Sequence, residues 1–337
     1  MLNFDPEQYL SVEKGAVALA DTIDQVIGRE FDNGMRNIAF WGVGGVAFLN
    51  MPAVRMLQTM SPFPTIADMG AEVVLTDNVN VGSGTLIVFT SVSGTTKEAV
   101  AALDFAKKKG ARVLTLCGTE ETPLAELADV SLFNKCADPT SSENYYLQTL
   151  FIALSIIRRT TEYPQYKRVI SELKTLPELL VGVKQQFESR AADFAAEIKD
   201  EQHHIITGAG NSWYEAWYYA MCILEEMQWI WTRPIHASDF FHGTLELLEA
   251  DTSVWILKGE DSTRPLVERV EKFATTVTKK VRVFDSRDFA LPGLSEDVRA
   301  LVSPIVFAAA FERLSTHLEK VRDHDLTTRR YYKKGNF

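Results

Sequence analysis

Cysteine is scarce and scattered. The three residues, Cys117, Cys136 and Cys222, are odd in number and show no C-x-x-C spacing. That pattern excludes a disulfide framework and a cysteine zinc site, and predicts reduced thiols in a cytoplasmic protein. Long apolar runs are missing too. The most apolar stretch, Thr149 to Ile157, falls far short of a bilayer span, so no membrane partner is expected. The opening Met1-Leu2-Asn3-Phe4-Asp5-Pro6-Glu7 lacks a basic segment leading into an apolar one, and no signal peptide is predicted. Positive charge is in deficit: 35 Lys and Arg against 45 Asp and Glu leave a net charge of −10. This excludes the broad basic footprint that nucleic acid requires, yet leaves room for a small phosphate held by a few local donors. The six histidines show no H-x-x-x-H or H-E-x-x-H spacing, so no metal is expected.

What the chain does have is a repeating alternation. Its 337 residues are enough for two domains. The first 34 residues carry Val17, Leu19, Ile23, Val26 and Ile27 near helical spacing and stop at Asn33-Gly34. Short apolar strands are then predicted at 37–41, 65–67, 85–90 and 112–116, with helices over about 46–59 and 97–109. Continuously apolar strands alternating with helices predict a parallel sheet covered on both faces. A helical stretch from Tyr145 to about Lys199 follows, with breaks at Pro164 and Pro177.

The pattern recurs after that stretch, with strands at 204–207, 252–257 and 280–284. Gly42 maps to Gly208, Thr96 to Thr263 and Val113 to Val281, at offsets of 166, 167 and 168 residues. A steady offset predicts a duplicated unit. The boundaries predicted from it are a helical segment over 1–34, a first α/β domain over 35–165, a helical linker over 166–195 and a second domain over 196–337.

Four places could carry chemistry. Between a buried strand and a helix start lies Ser91-Val92-Ser93-Gly94-Thr95-Thr96. The hydroxyls of Ser91, Ser93 and Thr96, a turn glycine, unpaired backbone N–H groups and the positive end of a helix dipole make an anion site suited to phosphate. A simple helix cap is the plainer alternative. The loop Gly42-Val43-Gly44-Gly45-Val46-Ala47 fits the dinucleotide pattern G-x-G-x-x-A, with Asp68 as the acid it would need. A tight turn beside a second ligand loop explains the same glycines without a cofactor, and none is expected. Glu226 ends the apolar helix of the second unit and His242 lies 16 residues on. A Glu and a His make a usable base and acid near neutral pH, although His203, His204, His236, His317 and His324 remain alternatives. Last, the run from Arg322 to Lys334 mixes charges and aromatics and reads either as a solvated tail or as a flap over an anionic substrate.

Taken together these residues resemble the sugar isomerase (SIS) family. The repeated unit covers nearly the whole chain, as in double-SIS proteins, and Ser91-Val92-Ser93-Gly94-Thr95-Thr96 is similar to the family's S-x-S-G-x-T phosphate loop. Glu226 and His242-Gly243 resemble the base and the His-Gly acid of the isomerase half of glucosamine-6-phosphate synthase. A closer resemblance is to the fructosamine-6-phosphate deglycases. It is carried by Met227-Gln228-Trp229-Ile230-Trp231-Thr232, by Ser238-Asp239-Phe240-Phe241-His242-Gly243, and by Asp323-His324 through Arg329-Arg330-Tyr331-Tyr332.

The resemblance implies two tandem SIS domains, each a parallel five-stranded sheet in a three-layer, flavodoxin-like α/β fold. It implies a deglycase that cleaves a phosphorylated sugar–amine adduct to glucose 6-phosphate and a free amine, with no cofactor, in a cytoplasmic homodimer or higher oligomer. A hexose-phosphate isomerase or aminating isomerase and a non-enzymatic sugar-phosphate sensor are the alternatives. Glu226 and His242 become the catalytic pair, and Ser91, Ser93 and Thr96 the phosphate ligands. Gly42, Ser142, Asn144, Arg264, His324, Arg329 and Lys333 become substrate contacts. Two departures stand out. Gly44 replaces a serine of the synthase pattern, and the second copy of the phosphate loop carries Glu260 and Asp261. Two carboxylates repel phosphate, so phosphate is assigned to the first unit, with Arg264 or Glu260 left to meet the amine portion.

Overall fold

The computed structural model describes residues 1–332 and Lys334. The chain forms an α/β fold with two parallel sheets of five and four strands among the described residues. It divides into two compact units. One comprises Glu7–Ala137 with Ser142–Thr175; the other comprises Met1–Pro6, Asp138–Ser141 and the chain from Leu176 onward.

The first unit begins with helices α1 (Pro6–Ala18) and α2 (Ala20–Asp32). It continues β1 (Asn37–Gly42), α3 (Gly45–Met60), β2 (Thr65–Met69), α4 (Gly70–Thr76), β3 (Thr85–Ser91), α5 (Lys97–Lys108), β4 (Arg112–Cys117), α6 (Pro123–Leu127), β5 (Val130–Phe133), α7 (Glu143–Thr160) and α8 (Tyr166–Leu173). The strand order is β2-β1-β3-β4-β5, all parallel. Strand side chains alternate between faces, and both sets are buried here. Ala39, Trp41, Ile87 and Phe89 pack with Ala102, Leu103 and Ala106 of α5, while Ile38, Phe40, Leu86 and Val88 are equally buried. A sheet covered on both faces needs apolar residues at every position, hence the unbroken apolar runs. From Glu7 on, α1 and α2 fall in this unit with the sheet.

The second unit contains α9 (Leu176–Ile198), β6 (His203–Gly208), α10 (Gly210–Tyr218), β7 (Trp231–His236), β8 (Val254–Lys258), α11 (Arg264–Val277), β9 (Val281–Asp285) and α12 (Glu296–Arg322). Its order, β7-β6-β8-β9, repeats the β2-β1-β3-β4 order of the first sheet. Ile205, Val254 and Ile256 pack with Phe240, Val267 and Val270. On α9, Phe194 meets Trp255 at 4.9 Å and Phe187 meets Phe284 at 6.1 Å. The expected fifth strand is not formed among the described residues. After β9 the chain reads Phe289-Ala290-Leu291-Pro292-Gly293-Leu294-Ser295 before α12, and Pro and Gly interrupt any apolar run that could join the sheet. Of the helices between the two sheets, α8 falls in the first unit and α9 in the second.

Candidate active site

In the first unit, strands β1 and β3 are neighbours whose following connections run to opposite sides of β1 in the strand order. Open α/β sheets bind ligands beyond the strand carboxyl ends at such a switch point. Two loops leave the sheet there. After β1, Gly44 adopts φ 64°, ψ −138°, a region that glycine alone visits easily. A side chain at Gly42 would come within 2.7 Å of the Ala47 backbone nitrogen. No heavy atom lies within 4 Å of a side-chain position on Gly44, so the space in front of this turn is open.

After β3 comes the hydroxyl loop. The buried Ser91 Oγ accepts from the Gly94 N–H at 3.0 Å, which folds the loop back on the strand. Gly94 has φ 63°, and a side chain there would collide with Thr122. Ser93 Oγ accepts from the Thr95 hydroxyl at 3.2 Å and from the Thr95 N–H at 3.4 Å. Thr96 stands at the N-cap of α5 with extended backbone, and its side chain makes no capping hydrogen bond. The helix therefore begins with a hydroxyl and first-turn N–H groups available to an external anion.

In the same unit, Ser142 and Asn144 open α7. Both are buried, and Ser142 Oγ and Asn144 Oδ1 have no hydrogen-bond partner among the described residues. Asn144 Nδ2 donates to the Lys135 carbonyl at 3.0 Å, which fixes the amide and aims its oxygen elsewhere. Orphaned buried acceptors are rare and call for a ligand or water.

In the second unit, Glu226 follows a π-helical turn, Tyr219–Glu225, that continues α10. Such turns are rare and occur frequently at functional sites. Glu226 Oε1 accepts from Arg329 Nε at 2.8 Å, while no hydrogen bond reaches Oε2 among the described residues. The tail that carries Arg329 is docked on the loop after Glu226. Gln228 Nε2 donates to the His324 carbonyl at 2.9 Å, and the His324 ring meets Trp229 edge-on at 4.3 Å. Glu226 and Arg329 line a cavity of about 490 Å³, walled by Trp229, Trp231, Tyr331 and Tyr332.

The remaining expected residues fall elsewhere. His242 sits exposed in the turn after β7, and makes no side-chain hydrogen bond, ion pair or ring contact among the described residues. It is outside the lining of the Glu226 cavity. Arg264 is bound by Asp285 at 2.9 Å and by Glu268 at 2.9 Å, and Glu260 by Arg299 at 2.8 and 2.9 Å. Neither is available to meet an amine without breaking an ion pair. His324 contributes its carbonyl and a ring face to the tail's docking, while Lys333 lies outside the described residues. Of the other histidines, His204 is buried against Trp255, and burial pushes it down to about 4. Among the described residues no group of three or more His, Cys, Asp or Glu could hold a metal ion, and no helix is long and apolar enough to cross a membrane.

A hydroxyl loop at the switch point of a parallel sheet, joined in one chain to a glutamate at a π-turn, defines a class that the comparisons identify. Residues 34–158 match the SIS domain family. The fructosamine deglycase FrlB of Bacillus subtilis (strain 168) is 30% identical over 77% of this chain and 79% of its own length. The fructoselysine 6-phosphate deglycase of Escherichia coli (strain K12) is 25% identical over 73% of this chain and 70% of its own. A crystal structure from Salmonella typhimurium LT2, assigned provisionally as a phosphosugar isomerase, is 28% identical and superimposes with a TM-score of 0.89 over 94% of this chain and 99% of that one. The chain belongs to the SIS-domain family, among the relatives of the fructosamine deglycases.

Proposed function

We propose that the protein is a fructosamine-6-phosphate deglycase. The observation that carries this reading is the Glu226 carboxylate, held through one oxygen by Arg329 in the lining of an aromatic cavity. The relation to two named deglycases supports it. We read the second unit as a second SIS copy, on the strength of its repeated strand order.

The substrate is an open-chain 1-amino-1-deoxyfructose 6-phosphate. Ser91, Ser93, Thr96 and the first turn of α5 take the phosphate, with Gly42 giving a close backbone approach and Ser142 and Asn144 as sugar contacts. Holding the phosphate fixes the chain for reaction. Glu226 removes a proton from C1 while the C2 carbonyl oxygen gains one, giving the enaminol; His242 serves ring opening and this oxygen. Glu226 then returns a proton to C2, and the nitrogen lone pair forms the C1=N bond of an iminium. Water adds at C1, the amine leaves with the proton, and glucose 6-phosphate remains. The balance is one water consumed per amine released, with no oxidant or reductant. We read the enzyme as a cytoplasmic homo-oligomer; sedimentation at a multiple of the chain mass is the expected result, and a monomer would contradict it.

A substrate panel tests the reaction. Fructoselysine 6-phosphate and related adducts should yield glucose 6-phosphate and free amine. Activity on fructose 6-phosphate, with or without ammonia, and none on the adducts would make the protein an isomerase or aminating isomerase instead. Binding of adducts without turnover would make it a sensor.

A further inference from the structure

Helix α1 is tied to the chain that carries Ser142 and Asn144. Its Tyr9, Val12 and Ala16 fall on one face at helical spacing and are buried. Hydrogen bonds join this helix to the segment after β5. Gln8 Nε2 donates to the Ala137 carbonyl at 3.1 Å, and Asn134 Nδ2 donates to the Val12 carbonyl at 3.1 Å. A side chain on Gly15 would come within 2.5 Å of Asn134 Oδ1, so glycine leaves the room that this amide occupies. The same segment holds Asn144, whose Nδ2 donates to the carbonyls of Lys135 at 3.0 Å and Asn134 at 3.4 Å.

A second line of hydrogen bonds runs through Glu143, which is fully buried. Its Oε1 accepts from the Tyr9 hydroxyl at 3.0 Å, and its Oε2 accepts from the Ser142 N–H at 2.8 Å. Burying a carboxylate is costly unless donors hold it. The first turn of a helix suits a negative charge, and charge-assisted hydrogen bonds are strong and directional. An apolar side chain would fill the same space without that cost. What the carboxylate adds is placement: it holds the Ser142 backbone and is itself held by α1. Both lines of hydrogen bonds end on Ser142 and Asn144, whose buried Ser142 Oγ and Asn144 Oδ1 have no hydrogen-bond partner among the described residues. Acceptors kept for a ligand need this bracing, because a misplacement of about 1 Å can cost on the order of 100-fold in rate.

We infer that Tyr9 and Glu143 are positioning residues for the sugar. Helix α1 clamps Glu143 through the Tyr9 hydroxyl, and Glu143 sets the entry to α7 so that Ser142 and Asn144 meet the sugar hydroxyls. The inference rests on the deglycase reading, which gives those two side chains to the sugar, and adds the brace that orients them. Tyr9 and Glu143 act through their neighbours and not by touching the substrate. The phosphate is assigned to a separate loop, after β3, so the brace acts on the sugar alone.

The test separates sugar from phosphate. Glucose 6-phosphate and inorganic phosphate are titrated calorimetrically into the wild type, Tyr9→Phe and Glu143→Gln. The wild type should bind glucose 6-phosphate at least about tenfold more tightly than inorganic phosphate, through its sugar contacts. Tyr9→Phe, which removes one hydroxyl and keeps the ring, should cut that advantage about threefold. Glu143→Gln, which sets an NH2 group against a donor, should cut it about tenfold. Both should leave the affinity for inorganic phosphate within about twofold. Tyr9→Phe added to Ser142→Ala should lose little beyond Ser142→Ala alone, because the brace acts through that residue. A purely structural role would lower Tm and leave the ratio of the two affinities unchanged. That result, an equal loss of both ligands, or a wild type that binds both alike overturns the inference. Should Glu143→Gln fail to fold, Tyr9→Phe decides alone. Turnover of fructosamine 6-phosphates is followed separately: its absence would end the deglycase reading, while the two titrations still decide the brace.

Discussion

Two loops in equivalent positions, one at the end of β3 and one at the end of β8, have been put to opposite uses. At β3 the loop is made of hydroxyls. Thr96 caps nothing, and the glycine turn after the neighbouring β1 faces open space at Gly44. At β8 the loop carries its own anion. Asp261 accepts from the Asn211 N–H at 3.0 Å and the Thr263 N–H at 2.8 Å, and the Thr263 hydroxyl donates to it as well. A side chain on Gly210, in the neighbouring β6 turn, would collide with that carboxylate. The same strand order thus ends in a hydroxyl loop without a side-chain cap in one unit and an internally satisfied turn in the other. A few side chains set the two turns apart.

The comparison can be broken in order of expected effect. Replacing Glu226 by Gln keeps shape and removes the base. Turnover should fall by about 10³-fold with KM within a few-fold, measured by glucose 6-phosphate release; a loss below tenfold would remove Glu226 from the chemistry. Importing the second loop's device into the first is next. Ser93→Asp should cut kcat/KM by roughly 100-fold and abolish protection against heat by inorganic phosphate, since a fixed carboxylate repels the ligand. Retained phosphate protection would dissociate this loop from phosphate. In the other direction, Asp261→Ala should change kcat/KM little but cost about 1–3 kcal/mol of stability, because the Asn211 and Thr263 N–H groups lose their acceptor. Thermal unfolding checks this, and an unchanged Tm would mean that the second loop does not depend on its carboxylate.

The smallest effect is pH-dependent and tests the base of the second sheet. The His204 Nδ1 lies 2.7 Å from Ser253 Oγ, and burial holds the ring down at about 4 against an ordinary 6.5. Below the ordinary value the unfolded chain takes up a proton that the folded chain refuses, so stability is present above about 6.5 and declines as pH falls toward 4. Between pH 6.5 and 5.5 the loss from this group is about 1 kcal/mol. Replacement of His204 by Phe should flatten that part of the Tm–pH curve; an unaltered slope would assign it to other groups.

Much of this was legible in the residues. Apolar runs followed by glycine or hydroxyl loops gave the strands and turns, because a buried parallel strand tolerates nothing else. The loop that carries Ser91, Ser93 and Thr96 was legible for the same reason, as a hydroxyl-rich turn between a buried strand and a helix. What could not be read depended on partners distant in sequence. Arg264 and Glu260 looked available until Asp285 and Arg299 were brought to them by the fold. The π-turn before Glu226 and the left-handed Trp229 arise from packing that no local pattern announces. The only warning in the sequence was the aromatic pair Trp229 and Trp231 beside an acidic pair, mirrored by Arg329-Arg330-Tyr331-Tyr332 in the tail. Arg330 was legible only as part of that mirror.

The most direct measurement follows fructoselysine 6-phosphate and its glycine counterpart by phosphorus and proton NMR in the presence of the purified protein. Deglycation predicts conversion of at least one adduct to glucose 6-phosphate with one equivalent of free amine, abolished in Glu226→Gln. Neither adduct converted, or a phosphosugar formed without release of amine, would contradict it.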